Sequence, residues 1–322
     1  MAEPNRMLRR DAAPRRPSAP VTTTRPEEPV AKPQAGDVPI SAPPTKSRWG
    51  WKLALCVALI GGVVYAGSQR RPIGPSAGAL EVRILASRVA ANQPARLKLG
   101  TYNIHGGRGT DGRLNLDRIA EMVRGLDFVG LNEVYGPHLW EQDDQATLLG
   151  RKLQMTPLYA PSEERWWHYR FGNAFLTRLD CESRLVVPLE RRYGKSYRNL
   201  VHVRLRAPNG TPVNVVVTHI DRSDDRERRE QLRTAADYFL ALSPPAVLMG
   251  DLNSDSSERE IQRLIEAPDV VDPLGDKLGL KTPRRIDWIL ARGVESVDAG
   301  MTQVGPSDHP HVWAELTIPP AK

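Results

Sequence analysis

Five short motifs carry residues able to do hydrolytic chemistry: Thr101-Tyr-Asn-Ile-His-Gly106, Leu131-Asn-Glu-Val134, Val217-Thr-His-Ile220, Gly250-Asp-Leu-Asn253 and Ser307-Asp-His309. Four of them follow apolar runs that read as buried strands, at 97–102, 128–131, 213–218 and 246–249, so their polar side chains emerge together at strand ends. Such a set of Asn, Glu, Asp and His is oxygen-rich and suits Mg²⁺ or Mn²⁺ better than zinc. The chain has no Gly-rich phosphate loop with Lys, no CxxC and no HExxH. The chemistry these residue types point to is hydrolysis of a phosphate ester at a hard-cation site.

The elements that must position these residues are also readable. Further strands are expected at 173–177, 183–187, 200–205, 286–290 and 312–318, and helical periodicity appears at 115–124, 144–153, 226–242 and 257–267. Val201, Val203 and Leu205 alternate with His202, Arg204 and Arg206, the pattern of a strand buried on one face. Single helices and hairpin-length gaps alternate irregularly, so the sheets should be mixed, within an α/β fold.

The amino-terminal part has a different character. Residues 1–48 are rich in Pro, Arg, Ser, Thr and Ala without apolar periodicity, and a disordered tail is expected there. A charge-free run from Leu53 to Gly67 follows. It would cover roughly 22 Å as a helix, and Trp49, Trp51 and Lys52 extend it toward an interface. A single-pass membrane anchor over 49–67 is the favoured reading. A cleaved signal peptide ending near Val64-Tyr-Ala66 is the rival, with a leader far longer than such peptides carry. The basic residues before the span place the amino terminus in the cytoplasm and the large domain outside. A linker over 68–94 then leads to a domain at 95–322.

The net charge of +7 belongs to this amino-terminal part. Through Arg71 there are twelve basic and five acidic residues, leaving thirty-three of each beyond it. A formally neutral domain does not grip duplex DNA through net charge. Cys56 lies in the apolar run and Cys181 stands alone, so the large domain has no internal disulfide.

With Arg285-Ile-Asp-Trp-Ile289 added, the order and spelling of the motifs resemble the endonuclease/exonuclease/phosphatase superfamily, which includes DNase I, apurinic endonucleases, neutral sphingomyelinases and inositol polyphosphate 5-phosphatases. The resemblance runs from Ala95 to Ile318. It implies a four-layer α/β sandwich, with two face-to-face mixed sheets flanked by helices and the active site at one edge. Carried over, Glu133 is the metal-binding glutamate and Asn103 supports the metal. Asp308 is either a second metal ligand or a clamp on a neighbouring histidine. Asp251 and Asn253 orient the attacking water and contact phosphate, His309 paired with Asp287 faces the phosphate, and His219 is a second histidine there. Asn173 in Gly-Asn-Ala reaches the phosphate. The implied reaction is in-line attack by a water that Asp251 deprotonates, with Mg²⁺ or Mn²⁺ as cofactor.

Departures bear on substrate. His105 stands where apurinic endonucleases carry an aspartate, which argues against abasic-site repair. The segment between Asn253 and Asp287 is short, with Pro273 to Pro283 in place of the longer substrate loops of many relatives, so a more open site is expected. Trp166-Trp-His-Tyr-Arg170 would stack a base, touch lipid or fill the sandwich edge. Arg191-Arg-Tyr-Gly-Lys-Ser-Tyr-Arg198 mixes basic and aromatic residues, and Arg191 and Arg198 are its candidate substrate contacts. The charge run at 224–233 reads as a solvated helix start. An extracytoplasmic nuclease is the leading expectation. The alternatives are a phospholipid or small phosphate-ester hydrolase, and a non-enzymatic tethered binding module. No protein partner is inferable.

Overall fold

Strand alternation builds two facing sheets in the computed structural model, which describes residues 48–78, 90–137, 141–166, 168–279 and 285–320. Nearly all of the expected tail, Trp167 and residues 280–283 lie outside the described residues. In chain order the elements begin with α1 (Arg48–Ser68), β1 (Arg71–Pro72), β2 (Ser76–Gly78), β3 (Ala95–Asn103), α2 (Leu116–Met122), β4 (Phe128–Val134) and α3 (Gln145–Leu153). Then come β5 (Thr156–Arg165), β6 (His168–Thr177), β7 (Asp180–Leu189), β8 (Arg198–Arg206), β9 (Pro212–His219) and α4 (Asp225–Ala241). The chain closes with β10 (Ala246–Asp251), α5 (Arg259–Ile265), β11 (Val270–Val271), α6 (Pro273–Leu278), β12 (Asp287–Arg292), β13 (Glu295–Met301) and β14 (Val312–Ile318).

One sheet has the order β1-β5-β6-β4-β3-β14-β13 and the other β11-β12-β10-β9-β8-β7-β2. Both are mixed: β3–β4 and β9–β10 pair in parallel, and the remaining neighbours are antiparallel. Inward-facing Leu97, Leu99, Phe128 and Phe175 of the first sheet meet Val201, Val203, Val215, Val217 and Met249 of the second. Phe128 and Phe175 stack with ring centroids 5.3 Å apart. On the outer faces, α2 and α3 bury Ile119 and Leu149 over Val129 and Leu131, while α4 and α5 bury Leu232, Phe239 and Ile261 over Val216 and Leu248. Each such side chain contributes about 1.5–3 kcal/mol of apolar burial. The layering is helix, sheet, sheet, helix, as expected.

Helix starts follow from local chemistry. The side chains of Asn115, Asp144 and Asp224 accept from backbone N–H groups of the first turns of α2, α3 and α4, which would otherwise lack partners. The 224–233 charge run is therefore the capped start of α4, with Arg228 on Asp225.

Some elements were not anticipated. Pro157 and Pro161 obscure the period of β5, which pairs with β6 through two register shifts. The edge strand β13 is largely exposed and so carries no apolar alternation. The expected linker contributes β1 and β2, which extend β5 and β7 at opposite sheets' edges. The segment after Asp272 forms α6, whose start Asp272 caps. The helix α1 is longer than the charge-free run: its 21 residues span about 31 Å, and it is long and apolar enough to cross a bilayer. Leu53, Leu55, Val57, Leu59 and Ile60 on it are exposed.

Candidate active site

Parallel pairing brings the motif residues to one edge of the sandwich. In the second sheet Asp251 lies in register with His219 on one side and Asp287 on the other. In the first sheet Asn103 lies in register with Asn132. Two glycines permit this closeness. A Cβ at Gly130 would come within 2.9 Å of Val217 and 3.1 Å of Met249 on the facing sheet. Gly250 has φ +140°, and a Cβ there would sit 1.8 Å from the Thr218 carbonyl oxygen, so its place before Asp251 admits no side chain.

Asp251 is the hub. Its Oδ2 accepts from Asn103 Nδ2 at 3.0 Å and lies 3.3 Å from His219 Nε2 and 3.7 Å from His309 Nε2. Its Oδ1 accepts from the Asn253 backbone N–H at 2.9 Å. Burial, and then the charge of Asp287, hold the Asp251 carboxyl well above the ordinary aspartate range. The Asn253 side chain donates to the Ile220 carbonyl at 2.8 Å, tying the end of β10 to that of β9.

The two histidines are held in opposite states. Arg198, itself buried, places Nη1 2.9 Å from His219 Nδ1. A guanidinium only donates, so Nδ1 accepts and the ring proton sits on Nε2, facing Asp251. Burial, then the Arg198 and His309 charges, keep His219 well below the usual imidazole range. Burial also lowers Arg198. His309 is the reverse case, because its Nδ1 lies 2.9 Å from Asp287 Oδ2. Burial alone would lower it, but the Asp287 hydrogen bond and the charges of Asp287, Asp251 and Asp308 outweigh that and push it up to about 9. Near neutrality the site thus holds one neutral imidazole and one imidazolium.

Backbone irregularity aims several groups. Glu133 has φ 56°, in a bulge where β4 slips register against β6 between Leu131 and Val134. Bulges redirect a side chain at a strand end. His105 (φ 48°) and Asn253 (φ 47°) share this left-handed backbone. Strain of this kind persists where the surroundings enforce it and gathers at working sites. Asp308 Oδ1 lies 3.5 Å from His105 Nδ1, and Ser307 Oγ donates to the Asn103 carbonyl at 2.7 Å, seating the loop before β14. Arg285 pairs with Asp272 and lies 3.6 Å over the Trp288 ring, fixing the start of β12 beside Asp287.

The remaining candidates lie differently. Asn173 is buried in a chain of amides between the sheets: Asn132 Nδ2 donates to Asn173 Oδ1 at 2.7 Å, and Asn173 Nδ2 donates to Asn199 Oδ1 at 2.8 Å. Asn132 Oδ1 accepts from the Asp251 N–H at 2.9 Å, so this chain ends on the hub. Asn199 escapes a motif reading, and Asn132, although inside Leu131-Asn-Glu-Val134, carries no local sign of its supporting role. Arg191 is exposed, 4.1 Å over the Tyr197 ring, while Arg192 and Tyr193 donate backbone N–H groups to the buried Glu227. Only Arg198 of that cluster touches the hub's partners.

The residues fit a divalent cation. Ligand atoms of Asp251, Asp287 and His309 all lie within 4.8 Å of one another, but the charged His309 cannot ligate, so the fit rests on Glu133 and Asp308 beside Asp287, whose Oδ1 is buried without a partner. Burial raises Asp287, as do the charges of Asp308 and Glu133, the mark of negative charge crowded faster than the histidines offset it. Oxygen donors with excess negative charge are what a hard cation binds.

The sandwich and this edge site define a phosphoesterase of the DNase I-like class. The sequence profile of the endonuclease/exonuclease/phosphatase family matches residues 100–309, and the chain belongs to that family. It is a hydrolase acting on phosphoric ester bonds. Among solved structures it is similar to an endonuclease/exonuclease/phosphatase from Beutenbergia cavernae, with 24% identity and a TM-score of 0.56, covering 70% of this chain and 72% of that one. A mannosyl-6-phosphatase from Bacteroides thetaiotaomicron shares 18% identity at TM-score 0.53, over 68% of this chain and 99% of its own. TDP2 from D. rerio, complexed with single-strand DNA product, shares 16% at 0.52, over 69% and 98%. No curated protein matches the sequence.

Proposed function

We propose that this protein is a membrane-anchored phosphodiesterase cleaving nucleic acid by in-line attack of water, with Mg²⁺ or Mn²⁺ as cofactor. The observation that carries this reading is the Asp251 hub, a buried carboxylate of raised proton affinity set between a neutral and a charged imidazole. Asp251 orients and deprotonates the water, since a carboxylate held above its usual range is a stronger base. Asn103 and the His219 Nε2–H hold its orientation. His309, charged by its bond to Asp287, directs Nε2–H toward the phosphate and stabilises the growing negative charge. Glu133, Asn103 and Asp308 would hold the cation, which when bound supplies positive charge to the phosphate oxygens. The intact set disfavours a non-enzymatic tether.

The anchor reading rests on α1, and an extracytoplasmic domain on the basic residues before it. Single-strand DNA product in the TDP2 relative supports the nucleic-acid reading. A small-ester or phospholipid substrate is the second reading, favoured by the mannosyl-6-phosphatase of the same fold. The test is full-length protein in detergent assayed on plasmid, single-stranded DNA, RNA, sphingomyelin and bis-nitrophenyl phosphate. Activity should vanish in EDTA and return with Mg²⁺ or Mn²⁺. Full activity in EDTA would sink the cofactor, and turnover of sphingomyelin but no polynucleotide would replace the substrate.

A further inference from the structure

Beside the hub lies a cleft of about 520 Å³, within the range that holds small ligands. Tyr135, Trp166 and Phe171 line it together with Arg70, Arg170 and Glu163. It begins one ring away from the chemistry: the Phe171 centroid is 6.3 Å from that of His219, and Arg198 lies 5.4 Å over the same Phe171 ring. Tyr135, two residues after Glu133, meets Phe171 edge-on at 5.9 Å. One wall comes from the chain just beyond α1. There β1 pairs with β5, Trp166 N–H donates to the Gly67 carbonyl at 2.7 Å, and Arg70 lies 3.7 Å from Glu163.

Two polar groups in this cleft are incompletely matched. Glu163 is 5% exposed, and its Oε2 is buried without a hydrogen-bond partner. The Arg170 Nε is likewise buried and unmatched. Buried polar groups are costly to leave unpaired, and an occupant that supplies a donor to Glu163 and an acceptor to Arg170 would relieve that cost.

We propose that this cleft is a subsite for the nucleotide flanking the scissile phosphate of single-stranded nucleic acid, an inference that rests on the phosphodiesterase reading above. The base stacks on Trp166 and Tyr135, a base N–H or sugar O–H donates to Glu163 Oε2, and the flanking phosphate accepts from Arg70 and Arg170. An acyl chain offers no donor to the carboxylate. Stacking serves every base, so the subsite reads strandedness rather than sequence. A duplex keeps its bases stacked on one another and cannot fill it. Because Arg70 lies two residues beyond α1, the chain leaving the apolar helix is part of the substrate wall.

The test uses full-length protein in detergent with EDTA present, so that binding is read without turnover. Fluorescence anisotropy of a labelled oligothymidylate gives Kd for wild type, Trp166→Ala, Arg170→Ala and Trp166→Phe. Each alanine variant should weaken binding about tenfold, Trp166→Ala through a lost base stack and Arg170→Ala through a lost phosphate contact, while Trp166→Phe retains most of the affinity. Matched thermal midpoints exclude misfolding, and Trp166→Phe separates ring stacking from a packing role. Wild-type affinity in both alanine variants would overturn the subsite. So would displacement of the oligonucleotide by dodecylphosphocholine but not by thymidine monophosphate, which would assign the cleft to a lipid headgroup. Turnover of bis-nitrophenyl phosphate by wild type with Mn²⁺ reads the phosphodiesterase proposal alone. Its failure leaves the binding result standing.

Discussion

The division of labour between two histidines is decided by their second nitrogens. His219 Nδ1 faces a guanidinium and His309 Nδ1 a carboxylate, so one ring is kept neutral and the other charged. Replacing His309 with Ala or Asp251 with Asn should each lower turnover by about 10²-fold or more, the scale of acid–base and charge-stabilising groups. Steady-state kinetics on bis-nitrophenyl phosphate check this, and near wild-type rates would place the chemistry elsewhere. Arg198→Ala should act on kcat, because Arg198 sets the His219 tautomer, and should leave the salt dependence of DNA binding intact. A changed salt slope with unchanged kcat would return Arg198 to the role of an exposed phosphate contact. A pH dependence also follows. The folded pKa of His309, about 9, lies above the ordinary value of 6.5. The Asp287 pairing therefore contributes stability that is fully present below about pH 6.5 and lost as pH rises through about 9. In chelator-treated protein, the difference in urea midpoint between wild type and His309→Gln should shrink across that window. A difference that grows there would reverse the assignment.

At the level of elements, the site depends on strand register more than on loop conformation. His219, Asp251 and Asp287 sit side by side because parallel β9 and β10 end, and antiparallel β12 begins, at the same level. Gly250 makes the join possible, since any side chain there meets the Thr218 carbonyl. Gly250→Ala should cost well over ~1 kcal/mol, because alanine is strained at positive φ and the clash is with backbone rather than a movable side chain. The chain should also lose activity at temperatures where it remains folded, as Asp251 shifts against His219. Urea melts alongside residual turnover check both, and an unchanged melt would mean that β10 relaxes freely. The bulge at Glu133 works in the same way in the opposite sheet, turning a strand residue toward the shared edge.

For the whole molecule, the amides of Asn132, Asn173 and Asn199 link the two sheets through the buried interior behind the site. Polar groups so placed must all be matched, which couples the sheets' registers to one another. The apolar helix α1 adds a second constraint, because the chain leaving it enters the fold at once through β1 and β2. Protease shaving of spheroplasts should remove the large domain while α1 stays with the membrane fraction. A domain protected from protease, or released whole into the soluble fraction, would count against the anchored, outward-facing arrangement.

By itself the sequence determined the strands that end in motifs, the four periodic helices and the family. These are local properties: an apolar run followed by Asn, Glu, Asp or His reads the same in any fold. Only the tertiary structure decided that Arg198 meets His219, that Asn132 and Asn199 join the sheets, and that Trp166 and Arg70 share a wall. Those contacts depend on which strands lie side by side. The physical cause is non-local pairing, in which residues unremarkable in sequence become neighbours once the two sheets close on a common core.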